Sequence, residues 1–265
     1  MRSAFLVLAL PVVLAAAPAQ AVEPFKIYDR FTDKPISPVR WQEGERVRTI
    51  KNGTLELMQR TWSLPFSDTG LFATNWQLDF QNQPAITAIK ARVTVDALET
   101  APCPTNGSIG DARARIIGGF FNVGVPTPGS QVGDAIAQVR LFRASNSADP
   151  AGLLRVQGLL SICSNADCSG ATTVGNIVDL GTVALGTPTT IGLQWDKPGK
   201  TFYFSREGAT TGTVAYAQSD SSLPSLMFRQ LSTRVNVPNC FSAPAVSAVV
   251  DARFDNVSVN ASAAP

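Results

Sequence analysis

Apolar and polar residues alternate in short runs along most of this chain, and clusters of glycine, proline, asparagine and serine separate the runs. Alternation with a period of two is typical of strands that bury one face. Taken in order, the pattern predicts strands at 25–31, 46–50, 54–58, 74–80, 86–96, 112–121, 135–143, 153–163, 172–180, 189–195, 201–206, 214–217, 229–237 and 249–259. Many short strands joined by turns predict an all-β fold, an antiparallel sandwich or a barrel.

The last predicted strand, 249–259, closes the fold. Ala252 and Phe254 share one face, whereas Val257 and Val259 have the opposite parity. A bulge near Asp255 would place all four apolar residues on the core side. We expect this strand to pair with the first one, at 25–31.

The N-terminus has the features of a secretory signal peptide. Arg2 precedes an apolar run at 4–17, and Ala19-Gln20-Ala21 follows it. The run is shorter than the roughly 20 residues that a membrane span needs, and no later segment is long and apolar enough. We expect cleavage after Ala21, a secreted or periplasmic protein, and a single mature domain at 22–265. Removing 1–21 leaves the charge near neutral, which argues against a nucleic-acid partner.

The four cysteines predict disulfides, since an even number is typical of exported chains. Four cysteines allow three pairings. Cys163 and Cys168 flank a turn-rich quartet at a strand end, where facing positions lie near disulfide distance. That pairing leaves Cys103 with Cys240. The chain has no histidine, which excludes a Ser-His-Asp site and a histidine-ligated metal.

Four segments together resemble the concanavalin-like jelly roll of lectins, laminin-G-like modules and glucanases. They are Asp29 to Phe31 with Trp41, the hairpin Asn52 to Leu57, the pair Ile191 to Asp196 with Phe202 to Phe204, and the closing run Phe254 to Val259. The resemblance implies an antiparallel two-sheet β-sandwich of jelly-roll topology. It covers most of the chain that would follow cleavage.

The resemblance also implies one structural calcium ion, as in the glucanases. Its ligands would be Asp255 and the backbone carbonyls of Gly53 and of Ile27, hard oxygen donors that suit calcium. The alternative is that Asp255 caps the bulge or pairs with an arginine. The acidic E-x-D-x-E strand of the hydrolases is missing, and Glu43-Gly-Glu45 is its nearest match. We therefore expect no hydrolytic activity.

Polar residues on the outward faces of the middle strands are rich in arginine. If these strands share one sheet, its groove would carry the candidate ligand-binding residues Arg92, Arg115, Gln138, Arg140, Arg155, Gln157 and Tyr203. Guanidinium groups suit the carboxylates and sulfates of acidic sugars. The alternative is that these residues form an ordinary solvated sheet face. The strand order cannot be obtained from the sequence, so these residues need not share one sheet.

A second resemblance is to jelly-roll polysaccharide lyases such as alginate lyases. Ile136 to Arg140 resembles their I-x-Q-I-H strand, with Gln138 at the glutamine and Arg140 at the catalytic histidine. A tyrosine would then have to carry all proton transfer. We predict an exported carbohydrate-binding protein for extracellular or cell-wall polysaccharide, acidic in character. The alternatives are a polysaccharide lyase or hydrolase, and a structural or interaction module of the cell envelope.

Overall fold

A computed structural model describes residues 45–208 and 211–264. Within them the chain forms strands joined by short loops and two three-residue 3-10 helices, at Gln83–Ala85 and Ala261–Ala263. The strands are β1 (Glu45–Lys51), β2 (Thr54–Trp62), β3 (Leu71–Asp79), β4 (Ala88–Thr100), β5 (Asp111–Asn122), β6 (Asp134–Ala144), β7 (Leu153–Cys163), β8 (Ala171–Ala184), β9 (Thr189–Asp196), β10 (Thr201–Arg206), β11 (Gly212–Ala215), β12 (Phe228–Pro238) and β13 (Ser247–Val259).

The strands form two antiparallel sheets that pack face to face. The seven-stranded sheet has the order β1-β2-β13-β4-β9-β10-β11, and the six-stranded sheet has the order β3-β12-β5-β6-β7-β8. The predicted fold class, an antiparallel two-sheet sandwich of the jelly-roll type, is confirmed. The predicted strand 25–31 and the signal peptide 1–21 lie outside the described residues.

Two predicted local features are confirmed, and one is corrected. Asn52 and Gly53 turn the chain between β1 and β2 with φ of 51° and 76°, the left-handed conformation that a two-residue hairpin needs. A register shift follows Asp255 in β13, where Asn256 has a φ of 47°. The prediction that the bulge brings Val257 into the core is wrong, since 40% of this residue is exposed. Within the described residues, β13 pairs with β2 and β4, and its expected pairing with 25–31 stays a prediction.

An aromatic cluster fills one part of the core between the sheets. Phe121 stacks on Tyr216 at 4.9 Å between ring centroids and on Trp195 at 5.7 Å. Phe120 contacts Phe202 edge-on at 5.0 Å. Such packing supplies both apolar burial and preferred ring geometry. The cluster therefore joins β5 of one sheet to β9 and β10 of the other.

Both predicted disulfides are present. Cys103–Cys240 closes a loop of 137 residues, and Cys163–Cys168 closes the hairpin between β7 and β8. Beside the first bridge, the carboxylate of Asp68 accepts hydrogen bonds from the Thr105 and Ser242 hydroxyls and from two backbone N–H groups. These bonds hold the pKa of Asp68 well below its ordinary value. The bridge and this carboxylate together fix three loops at one end of the sandwich.

No helix in the described part of the chain is long and apolar enough to cross a membrane.

Candidate functional site

The outer face of the six-stranded sheet carries rows of polar side chains across its central strands. One row is formed by Gln77 of β3, Ser232 of β12, Arg115 of β5, Arg140 of β6 and Gln157 of β7, which are successive cross-strand partners. Alternation explains the row, since the residues between these positions, such as Ala114 and Val139, are fully buried in the core. Each strand thus contributes one polar side chain to a continuous surface.

Arg115 is the most deeply placed cation of this face, with 3% of its surface exposed. Its Nε donates to the Ser232 hydroxyl at 2.9 Å, Nη1 to Gln138 Oε1 at 3.2 Å and Nη2 to Asn75 Oδ1 at 3.0 Å. All three acceptors are neutral. Burial lowers the pKa of Arg115 well below its ordinary value, and the neighbouring arginines lower it further. The guanidinium is positioned by hydrogen bonds, but its charge is not neutralised by them.

Arg140 lies directly opposite Arg115 on the next strand. Its Nη2 donates to Gln157 Oε1 at 3.0 Å, and its guanidinium carbon lies 4.2 Å from the centre of the Phe142 ring. Its Nε is buried and has no hydrogen-bond partner among the described residues. Burial, followed by the charge of Arg113, lowers the pKa of Arg140 to about 10, so the group stays charged at neutral pH. It retains a donor that no described residue uses.

A second opposed pair, Arg113 of β5 and Arg234 of β12, lies in the next row. Asp111 accepts two bonds from Arg113, from Nε at 2.8 Å and from Nη2 at 2.9 Å. Asp111 also accepts a bond at 2.9 Å from Asn236 Nδ2, and Asn236 Oδ1 accepts a bond at 3.0 Å from Arg234 Nε. Burial lowers the pKa of Arg234, and Asp111 acts in the opposite direction. Asp111 thus pairs directly with Arg113 and is linked to Arg234 through the side chain of Asn236.

We call Arg113, Arg115, Arg140 and Arg234 the arginine cluster. Like charges directly opposite each other in a sheet destabilise it, and the cluster contains two such pairs. Within residues 45–208 and 211–264, Asp111 is the one acidic group that forms an ion pair with the cluster. An anionic ligand would supply the missing negative charge.

A cleft of about 360 Å³ opens along β12 and β5 at this face. Arg115 and Arg234 line one part of it, together with the amides of Asn75 and Gln77. The other lining residues, which combine polar and apolar side chains, are Asp79, Gln83, Ile117, Gln131, Ile136, Asp167, Cys168, Leu226, Met227, Phe228 and Gln230. Amide and guanidinium groups beside an apolar strip match the hydroxyls, carboxylates and ring faces of sugars.

Two fixed loops form the walls of the cleft. The buried carboxylate of Asp134 accepts hydrogen bonds from the backbone N–H groups of Ser225 at 2.7 Å and Leu226 at 3.0 Å, and from Asn122 Nδ2 at 2.8 Å. It therefore anchors the loop that carries Leu226 and Met227 and leads into Phe228, the first residue of β12. On the other side, the disulfide hairpin is tied down by a bond of 2.8 Å from Gln131 N to Ala166 O. The cleft is thus largely pre-formed.

The structure brings five of the seven predicted ligand-binding residues to one face. Arg115, Gln138, Arg140 and Gln157 form two hydrogen-bonded pairs there. Arg155 also points outward from this sheet, but its guanidinium donates to Asp149 and to Asp179 Oδ2, the latter at 2.9 Å. These two carboxylates already satisfy its charge.

The other two predicted residues, Arg92 and Tyr203, project from the outer face of the seven-stranded sheet. Their chain neighbours Ala91, Val93, Phe202 and Phe204 are buried in the core. Tyr203 lines a separate depression of about 390 Å³ there, beside Lys90 and Gln194. These two residues therefore cannot act with the arginine cluster on one ligand-binding surface.

Sequence reasoning did not place β12 in the site. Its outward side chains Gln230, Ser232, Arg234 and Asn236 alternate with Leu231, Val235 and Val237, which are buried in the core. The alternation was visible in the sequence. What the sequence did not contain was the position of β12 between β3 and β5.

Two of the three predicted calcium ligands, Gly53 and Asp255, lie in the described part of the chain. Gly53 and Asp255 lie at the same end of the β2–β13 pair, where the ladder finishes at Leu55 and Phe254, and Ile27 lies outside the described residues. Asp255 Oδ1 accepts a hydrogen bond from Asn256 N at 2.7 Å, and Arg92 is its cross-strand partner on β4. One carboxylate and a nearby turn carbonyl fit the donor chemistry of calcium. The calcium site stays a prediction.

The comparisons with known proteins identify no family. No family model matches the chain, and no curated protein does. Among solved structures, alginate lyase A1-II′, a member of polysaccharide lyase family 7, is 14% identical over 80% of this chain and 84% of that chain, with a TM-score of 0.40. A family 18 polysaccharide lyase is 11% identical over 80% and 88%, with a TM-score of 0.38. The carbohydrate-binding module CBM66 from Bacillus subtilis is 11% identical over 81% and 90%, with a TM-score of 0.29. Likenesses of this size assign no activity to this chain.

Proposed function

We propose that this protein is an exported carbohydrate-binding protein that holds an acidic polysaccharide in the cleft of the six-stranded sheet without cleaving it. The observation that carries the proposal is that the guanidinium of Arg115 is buried and donates only to neutral side chains. A buried guanidinium whose three nitrogens meet only neutral acceptors costs folding free energy. A carboxylate or sulfate group of a ligand would offset that cost.

Geometry favours an extended ligand over a small anion. The cleft runs past several rows of the sheet, and amides line it beside the arginines. Amides bond to sugar hydroxyls in either direction, and an apolar wall such as Phe228 packs against sugar rings. A guanidinium pairs with a carboxylate through two parallel bonds. This combination suits a chain of sugars with regularly placed carboxylates.

The chemistry of the described face favours binding over cleavage. The chain has no histidine, and its described tyrosines lie elsewhere: Tyr203 on the other sheet, Tyr216 in the core. Burial, together with the hydrogen bond to Asp220, raises the pKa of Tyr216, which keeps it protonated. The cluster residues themselves are cations at neutral pH and accept no proton. A lyase that uses histidine or tyrosine as its base would find neither among the described residues of this face, where the carboxylates of Asp79 and Asp167 line the cleft.

Export belongs to the same proposal. The predicted signal peptide supports it, and the two disulfides are of the kind that persist in an oxidising compartment. A polysaccharide outside the cell is the natural ligand for such a site. Identification of the N-terminal residue of the exported protein as Val22 would support this part of the proposal, and a start upstream of Ala19 would contradict it.

Calorimetric titration with polygalacturonate at low salt tests the proposal, and methyl-esterified polygalacturonate is the matched neutral control. We expect micromolar affinity or weaker, about −8 kcal/mol at best, for the acidic polymer and much weaker binding of the ester. Affinity should fall as salt rises. Equal binding of both polymers, or no binding of either by folded protein, would contradict the proposal. The appearance of unsaturated uronate would show a lyase instead.

A further inference from the structure

The part of the cleft around Gln230 differs chemically from the part around Arg115. Gln230 is the cross-strand partner of Asp79 on β3 and of Ile117 on β5. It lies two residues along β12 from Ser232, the partner of Arg115, which corresponds to roughly 7 Å along the strand. The two parts are therefore adjacent rows of one cleft, close enough to contact neighbouring sugars of the same chain.

Gln230 has an unmade hydrogen bond. The residue is 7% exposed, its Oε1 is buried, and no described residue donates to that oxygen. Leaving a buried acceptor unpaired destabilises the folded state, so native proteins rarely do so without a reason. Because Gln230 lines the cleft, a half-turn of its amide group would exchange the nitrogen and the oxygen and present Oε1 to a donor group of a ligand.

The charges in this part of the cleft are negative. Asp79 and Asp167 line it, whereas the cationic side chains that line the described cleft are Arg115 and Arg234, one or two rows away. Asp167 accepts a hydrogen bond from Ser169 N at 3.1 Å, which lowers its pKa and keeps it ionised. A second carboxylate of the ligand would be repelled here.

The apolar wall contributes to the same part of the cleft. Leu226 and Met227 line it on the loop that Asp134 anchors, and Phe228 lines it at the start of β12. An unpaired acceptor, two carboxylates and an apolar wall together favour an uncharged ring that offers hydroxyl or amide N–H donors.

We propose that the cleft contains two subsites of opposite polarity, so that its preferred ligand is a heteropolysaccharide in which an acidic sugar is followed by an uncharged one. The arginine cluster would hold the acidic sugar. The Gln230 subsite would accept hydrogen bonds from the uncharged sugar, and Asp79 and Asp167 would exclude a uronate there. This inference rests on the proposed function and deepens it.

Titration with two oligosaccharides of equal length tests the inference. Hyaluronan alternates a uronate with an uncharged N-acetylhexosamine, whereas oligogalacturonate carries a carboxylate on every sugar. We expect hyaluronan to bind about tenfold more tightly, a difference of about 1.4 kcal/mol. Equal affinities, or tighter binding of oligogalacturonate, would overturn the inference and leave the proposed function standing. Binding of neither would overturn the proposed function itself.

Two variants separate the subsites. Asp79→Asn should strengthen oligogalacturonate binding by removing the repulsion, and Gln230→Leu should weaken hyaluronan binding by a larger factor than it weakens oligogalacturonate binding. Asp96→Asn is the control, because Asp96 pairs with Arg253 on the other sheet. If Asp79→Asn and Asp96→Asn change the affinity for oligogalacturonate equally, the charge of Asp79 in the cleft does not cause the change in affinity. The inference then fails.

Discussion

Arg115 and Arg140 lie directly opposite each other on β5 and β6, and neither forms an ion pair with a described carboxylate. Each instead donates to the side-chain oxygen of a glutamine, Gln138 for Arg115 and Gln157 for Arg140. Glutamine orients a guanidinium without cancelling its charge. This arrangement leaves two positive charges side by side without a paired carboxylate, and one of them, Arg115, lines the cleft on which the proposed function rests.

Arg155→Ala should leave polygalacturonate binding unchanged, although Arg155 lies on the same face as the cluster. Its guanidinium is already paired with Asp149 and Asp179, and these hydrogen bonds raise its pKa. We expect a lower melting temperature with the same dissociation constant. Calorimetry and thermal melting of the variant check this, and a loss of affinity like that of an Arg115 variant would contradict it.

The sequence was informative about the face to which a residue belongs and uninformative about its sheet. Parity correctly placed Arg115, Gln138 and Arg140 outside the core, because a strand alternates its side chains whatever its neighbours are. Parity could not reveal that Arg92 and Tyr203 belong to the other sheet. Strand order depends on long-range packing, and the partners of β5, for instance, are β6 and the distant β12.

The two disulfides should differ in what their removal costs. Replacing Cys103 and Cys240 by serine opens a loop of 137 residues and should lower the free energy of unfolding by about 2–4 kcal/mol, with little effect on binding. Replacing Cys163 and Cys168 opens a short hairpin that forms one wall of the cleft. We expect a smaller loss of stability but weaker binding. Denaturant unfolding and titration of both double variants check this, and the opposite ranking would contradict it.

Asp68 should contribute stability that depends on pH. Its pKa in the folded protein lies below the ordinary value of 3.8, because the hydroxyls of Ser242 and Thr105 donate to the carboxylate. The contribution is therefore complete above that value and is lost as the pH falls below it. Asp68→Ala should melt lower than the unmodified protein at neutral pH, and the gap should close under strongly acidic conditions. A gap that stays constant from neutral to acidic pH would contradict this role.

Calcium, if held by Asp255 and the carbonyls of Gly53 and Ile27, should raise the melting temperature. At about a hundredfold excess over the dissociation constant the gain in unfolding free energy is roughly 2.7 kcal/mol. Chelator should reverse the shift, and Asp255→Ala should remove it, whereas Asp196→Ala at the end of β9 should not. Identical melting curves with calcium and with chelator would end the calcium hypothesis.

In the proposed function, the buried charge of Arg115 binds an acidic polysaccharide. The most direct test is the shift in melting temperature that polygalacturonate causes in the unmodified protein, in Arg115→Met and in Arg253→Ala. Methionine fills the buried space without the charge, and Arg253 pairs with Asp96 on the other sheet, 2.7 Å from Nη2 to Oδ1. We predict that the polymer stabilises the unmodified protein and Arg253→Ala but no longer stabilises folded Arg115→Met. Equal stabilisation of all three proteins would contradict it.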